Sequence, residues 1–423
     1  MPATLMKLKR LPEDFQVEEL PSVALGGRGR FTLYRLTKRG LGTLEALEAV
    51  AHRWNVPRSR IAYGGLKDRH SVSVQYLTIL DGPARALRQT HLELEPVGGL
   101  PHPYGPRHFT GNRFSVVVRD LTALHAQAAE RAASEAKRDG LPNYFDDQRF
   151  GSVGSGGEFI ARAWLLGEHE RALRMAIAEP NPFDRPESKA EKAILREHWG
   201  HWKEAKGALG RSHARSLVTY LADHPTDFRG AFARMRRDLR SLFFSAYQSH
   251  LWNLLLARLI DRSTRPDQRV AVRFKVATLP MPRNLEPAQL AELAGWQVPL
   301  PSSRTKLPPE GLLREIAIDL MADQGLAWEG LRVKHMKDLF FSKATRPALF
   351  SPAKLRQSAD ADDLYPGRQK LRLEFDLPKG SYATILIKRI TQAAGDTNDA
   401  DEEPQEEDEI VDEEHSGAEG LPL

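Results

Sequence analysis

Strand-like alternation in this chain is concentrated at its two ends, with a long helix-rich stretch between them, and that distribution limits the folds open to it. Near the N-terminus "FTLYRL" (Phe31–Leu36) alternates as a half-buried strand would. "SVSVQYLTIL" (Ser71–Leu80) and "GNRFSVVVRDL" (Gly111–Leu121) repeat the pattern, the latter with Phe114, Val116 and Val118 on one side. Between them "TLEALEAVAHRWNV" reads as a helix with Thr43 as N-cap, Leu44, Leu47, Val50 and Trp54 on one face, and Pro57 as its stop. An alanine-rich helix spans Leu124–Lys137, and beyond Glu158 helical patterns dominate. At the far end "RQKLRLEFDLPKGSYATILIKRI" reads as two strands around a Pro-Lys-Gly turn. The expectation is an α+β protein: a mixed sheet formed by both chain ends, interrupted by a helix-rich insertion. The spans are 1–151 and 341–392 for the sheet domain, 152–340 for the insertion, and 393–423 for a disordered acidic tail.

Charge sharpens this division. The formal net charge is only +5, yet the segment from Asp396 onward holds 13 Asp and Glu with no Lys or Arg, so the remainder carries about +18. A body so basic suits a polyanion such as nucleic acid. The tail has too little apolar content to offset the entropy of ordering it. The sequence contains no cysteine, which removes thiol nucleophiles, disulfides and cysteine-ligated metals. No uncharged apolar run reaches the length of a membrane span, and the expected location is the cytoplasm, with no membrane partner.

Two stretches could carry chemistry. In "YGGLKDRHSVSVQ" (Tyr63–Gln75) two glycines lead into a turn where Lys67 and Arg69 flank Asp68, at the mouth of a strand. Flanking cations favour an ionised carboxylate, fit to serve as nucleophile or base, though a plain exposed turn has the same composition. In "NYFDDQRFG" (Asn143–Gly151) aromatics, an amide and Arg149 are interleaved, as stacking on an extruded base and reading its edge require. A structural loop plugging a core is the alternative. The adjacent Asp146 and Asp147 hint weakly at a hard-metal site, and "HWGHW" (His198–Trp202) reads as a surface helix rather than a zinc site.

Taken together and in order, "PEDFQVEE", "GGLKDRHSVSVQ", "GNRF", "NYFDDQRFG", "FFSAYQSHLWN" and "LPKGSYAT" resemble the TruD family of tRNA pseudouridine synthases, over nearly the whole chain up to about Arg389. The resemblance implies a mixed-sheet pseudouridine synthase domain with a helix-rich insertion. It makes Asp68 the catalytic aspartate, and Asn143 and Phe145 the residues that hold the target uridine. Phe15 corresponds to an aromatic near the same pocket, Tyr382 to the aromatic of the G-S-[FY]-A-T motif, and Lys9 to a basic residue upstream, all read with Lys67 as substrate-binding residues; Lys9 by the resemblance or Lys67 by adjacency would keep Asp68 ionised. It also implies a monomeric enzyme with tRNA or another structured RNA as partner, neither cofactor nor metal, and a typical target at uridine 13 of the D arm. The sequence departs from the pattern at Ser71 and Ser73, usually alanine and threonine, at Asp146, usually glycine, and at Arg389, usually glutamate. Aspartate tolerates a left-handed backbone better than most residues yet adds a negative charge near the RNA, so Asp146 bears on the loop's geometry and on substrate choice. Two competing readings are an RNA-binding protein that kept the fold without catalysis, and a metal-dependent nuclease using Asp68, Asp146 and Asp147.

Overall fold

The computed structural model describes residues 6–154, 156–181, 184–333, 336, 338–393 and 395. The expected acidic tail lies, from 396 onward, outside the described residues. The chain divides into two compact units, one running to Leu141 and resuming at Phe350, the other spanning Pro142–Leu349.

Among the described residues the first unit holds a nine-stranded sheet. Its N-terminal strands are β1 (Phe15–Pro21), β2 (Phe31–Arg39), β3 (Ile61–Tyr63), β4 (Val72–Leu80), β5 (Leu87–Gln89), β6 (Leu92–Leu100) and β7 (Phe109–Leu121). Two strands from the far end of the chain, Ala353–Ala361 and Gln369–Pro378, join through β7, and β1 lies between β7 and β4. The β1–β4 pairing is parallel and the β1–β7 pairing antiparallel, so the sheet is mixed and the fold is α+β. A parallel pair needs a crossover rather than a hairpin, and the chain between β1 and β4 includes helix α1 (Thr43–Trp54).

Helix α1 buries Ala46, Leu47 and Val50 against Tyr34 and Leu36 of β2, Leu77 and Ile79 of β4 and Leu92 and Leu94 of β6. Truncating any of the larger of these to alanine would cost about 2–5 kcal/mol. The helix starts one residue away from the expected arrangement. Gly42 occupies the N-cap in an extended conformation, and its N–H donates to Glu45 Oε2 at 2.9 Å. Thr43 is therefore the first helical residue, and its hydroxyl is released for other work. Helix α2 (Ala123–Asp139) presents buried Ala126, Ala129, Ala132, Ala133 and Ala136, small residues that let a neighbouring backbone approach closely.

That neighbour corrects a second expectation. "SYATILIKRI" is not a strand: Ala383–Ala393 form a helix packed on α2. Its threonines and isoleucines favour a strand locally, but Ala383, Leu386, Ile387 and Ile390 also recur at helical spacing, and burial against α2 decides between the two. Arg389, which stands where the family usually has glutamate, is buried in this helix and ion-pairs Glu135 of α2.

The second unit is mostly helical around Arg237–Ser263, whose buried residues include Phe244, Tyr247, Leu251, Trp252, Leu255, Leu256, Leu259 and Ile260. Apolar residues on so many sides mark a helix enclosed by others. "HWGHW" is not a continuous helix: His198–His201 link Pro186–Glu197 to Trp202–Ala208, with Gly200 at φ +87°.

Candidate active site

In the first unit the loop joining β3 to β4 carries Asp68. Parallel pairing of β1 with β4 sets Gln16 opposite Val72 and Glu18 opposite Val74, which brings the start of β1 alongside the end of this loop. Lys9, just before β1, donates from its ammonium to Asp68 Oδ2 at 2.5 Å and also lies 4.9 Å from the centre of the Phe15 ring. Phe15 in turn meets Phe114 edge to face. Asp68 Oδ1 accepts the His70 N–H at 2.9 Å. Burial by itself would push the Asp68 carboxyl up. The charge and hydrogen bond of Lys9, the His70 N–H and the His70 ring outweigh it and hold the group below its usual range. The structure thus brings Asp68, Lys9 and Phe15 together, with the carboxylate ionised.

Lys9 has a left-handed backbone, φ +51°, which costs a non-glycine residue about 1 kcal/mol or more. Its segment is secured on both sides. Lys7 pairs with the backbone of Arg119, while the Asp14 carboxylate accepts the Leu11 N–H at 3.0 Å and the Arg119 Nε–H at 2.9 Å. Arg119 also donates to Asp362 at 2.9 Å.

Lys67 takes a different direction from the one its adjacency to Asp68 suggests. Its ammonium donates to Glu19 Oε1 at 3.1 Å and sits 5.2 Å from the Phe109 ring centre. Glu19, fully buried, also accepts from Gly65 N–H and Tyr76 N–H, both at 3.3 Å, and from the Tyr104 hydroxyl at 3.0 Å. Burial and the Glu19 charge together push the Tyr104 hydroxyl far above its ordinary range. This carboxylate explains one glycine of the motif: a Cβ on Gly64 would fall 2.8 Å from Glu19 Oε1 and 3.0 Å from the Tyr104 ring. Gly64 is there for close approach, and its backbone stays outside the left-handed region.

The hydroxyl of Thr43 accepts the Lys67 N–H and donates to Gln75 Oε1, each at 2.9 Å. Ser71 Oγ–H donates to the Asp68 carbonyl at 2.8 Å. Ser71, at a usual alanine position, therefore adds a bond to the loop, and the buried Ser73 hydroxyl has no hydrogen-bond partner among the described residues. Tyr382 is half-buried at the residue preceding helix Ala383–Ala393.

The second unit contributes a separate cluster. Asn253, on the long helix, brackets the backbone of Phe145: its Oδ1 accepts the Phe145 N–H at 2.8 Å and its Nδ2 donates to the Phe145 carbonyl at 2.9 Å. The Phe145 ring is only 6 % exposed, meets Trp252 edge to face, and has the Arg346 guanidinium 4.1 Å from its centre. Arg346 also donates at 3.1 Å to both Asn143 Oδ1 and the Asn143 carbonyl. Arginine only donates, so it orients the Asn143 amide with Oδ1 inward and the amide N–H groups turned away. Asp147 accepts the Lys275 N–H at 2.9 Å. Asp146 has φ −82° and ψ 167°, ordinary extended backbone, so the family glycine's conformational freedom is not what this position requires. Among the described residues no group of three or more His, Cys, Asp or Glu is placed to hold a metal ion.

A family model described as tRNA pseudouridine synthase D (TruD) matches residues 1–390. The chain belongs to this family. A curated relative from Methanococcus maripaludis named "Probable tRNA pseudouridine synthase D 1" is 31% identical, the match covering 91% of this chain and 99% of that protein. The tRNA pseudouridine synthase D of Aquifex aeolicus is 28% identical over 91% of this chain and 98% of its own length. A crystal structure of a TruD protein from Methanosarcina mazei superposes with a TM-score of 0.75, at 26% identity and covering 92% of this chain and 94% of that one. Membership makes the chain an isomerase of the TruD type, and both the non-catalytic binder and the nuclease readings give way to it. No helix among the described residues is long and apolar enough to cross a membrane.

Reasoning from the sequence alone missed the parts that Glu19, Thr43, Asn253 and Arg346 play in these contacts. Glu19 lies inside "PEDFQVEE", and Asn253 closes "FFSAYQSHLWN".

Proposed function

We propose that this chain converts a uridine of tRNA to pseudouridine, uridine 13 of the D arm, with Asp68 as the catalytic carboxylate and Asn143 and Phe145 holding the uracil. The observation that carries the reading is the Asp68 carboxylate, largely buried yet held ionised by the Lys9 ammonium at 2.5 Å beside the Phe15 ring. Isomerisation conserves every atom of the nucleoside. The C1′–N1 bond breaks, the uracil turns, a C1′–C5 bond forms, C5 loses a proton and N1 gains one, so no external oxidant or reductant enters. Asp68 either attacks C1′ or removes the 2′ proton, and both routes need the ionised form that Lys9 secures. A uridine inside folded RNA must first leave its stack, at a cost of a few kcal/mol. The amide N–H groups of Asn143 suit a uracil carbonyl oxygen. The enzyme is read as a cytoplasmic monomer.

Asp68→Asn should abolish turnover while tRNA affinity stays within about 1 kcal/mol, because the change removes a chemical step and leaves binding in place. Product formation by that variant would contradict the assignment. Mapping pseudouridine in tRNA from cells with and without the protein tests the position, and a rate effect from 2′-deuterated uridine separates the two routes.

A further inference from the structure

Lys38 is only 1 % exposed, although it ends in an ammonium group. It lies in β2 on the face that buries Tyr34 and Leu36, where an apolar residue would be the simple choice. Its ammonium donates to three backbone carbonyls: Leu41 at 2.5 Å, Asp68 at 2.8 Å and Lys67 at 3.1 Å. Leu41 belongs to the turn between β2 and α1, and the other two carbonyls belong to the loop that carries the carboxylate. A buried charge survives only with its donors satisfied, and an ammonium has three of them to offer.

These bonds act on the main chain of Asp68 itself. With the carbonyl held by Lys38 and Ser71, and the preceding N–H held by Thr43, the backbone at Lys67–Asp68 has little freedom to rotate. The side chain then projects toward Lys9 and the His70 N–H without a search. The three carbonyls that Lys38 reaches are main-chain groups, two of them in the Asp68 loop, so these bonds act on chemistry through Asp68.

We propose that Lys38 is a positioning residue for the isomerase, its buried ammonium fixing the backbone of Asp68 so that the carboxylate is held in reacting geometry. The inference rests on the reading of Asp68 as the catalytic carboxylate. Substituting Lys38→Met keeps an unbranched apolar stem, one atom shorter, while removing the charge and all three donors. Loosening of the loop should lower kcat about 100-fold, the scale expected of a 1 Å misplacement, with KM for tRNA changed less than about threefold. The acid limb of the kcat profile should move to higher pH, because Asp68 loses part of what Lys9 and the His70 N–H supply. A purely structural role would lower the amount of folded enzyme and leave both the kcat per folded molecule and the acid limb where they were.

The experiment measures kcat, KM and pH dependence for Lys38→Met on a tRNA substrate, with Asp68→Asn run in parallel. Wild-type kcat in folded Lys38→Met, or a raised KM with kcat unchanged, overturns the proposal. Should Lys38→Met fail to fold, Lys38→Gln decides, since its amide retains two neutral donors. A kcat reduced about tenfold with the acid limb displaced supports the proposal, whereas wild-type kinetics, or failure of both variants to fold, overturns it. Activity in Asp68→Asn would bring down the catalytic reading itself. An inactive Asp68→Asn beside a fully active Lys38→Met would bring down this inference alone.

Discussion

Glu19→Ala tests the reasoning about the loop that carries Asp68 most directly. Wild-type Glu19 is fully buried and collects four donors, the Lys67 ammonium at 3.1 Å, the Gly65 and Tyr76 N–H groups at 3.3 Å and the Tyr104 hydroxyl at 3.0 Å. Removing one partner of a buried ion pair costs about 3–5 kcal/mol, chiefly because the remaining charge is left without compensation. Some relief comes from the Phe109 ring near the Lys67 ammonium, and water entering the vacated space would serve the neutral donors. A net loss of about 4 kcal/mol is expected, a large fraction of the stability of a typical domain. Glu19→Gln keeps the shape and one acceptor and should lose roughly half as much, the difference between a charged and a neutral hydrogen bond. Combining Glu19→Gln with Lys67→Met should cost less than the sum of the single changes, since the second removes the charge that the first strands. Denaturant unfolding measures the totals, and amide hydrogen exchange at Gly65 and Tyr76, whose N–H groups point at this carboxylate, locates the effect. A loss below about 1 kcal/mol with unchanged exchange at those amides would refute the argument.

Two further outcomes follow from the same geometry. Asp68 is held below its usual range in the folded protein, so its pairing with Lys9 contributes stability above the unfolded value and loses it as pH falls through the folded value. Lys9→Met therefore should move the acid limb of the rate profile to higher pH, and a limb that stays in place would show that Lys9 does not set the ionisation. Asn253→Ala strands a buried N–H and a buried carbonyl of Phe145 and should cost about 2–4 kcal/mol in unfolding experiments, together with a raised KM for tRNA. Unchanged stability would mean that the bracket is not what orders this loop.

The sequence marked candidate site residues more plainly than it gave the fold's details. Asp68, Asn143 and Phe145 stood out as candidates because six motif stretches occur in one order and place them at a family's site positions. The half-buried strands were legible from alternation, since a period of two is imposed by the backbone alone. Local pattern failed where a neighbour made the choice. Ala383–Ala393 is a helix because α2 offers an alanine surface to pack on, and Thr43 serves the Asp68 loop because Gly42 and Glu45 already close the helix end.

By itself the sequence determined the α+β class, which depends on short-range periodicity, and its resemblance to a family singled out Asp68 as the candidate carboxylate. Tertiary structure alone decided which cation meets that carboxylate. Lys67 is adjacent in the chain but turns to Glu19, and Lys9, 59 residues from Asp68, supplies the partner. The reason is the parallel register of β1 against β4, which sets what lies beside the loop and is a property of pairing between distant segments. No window of the sequence short enough to read for periodicity contains both strands.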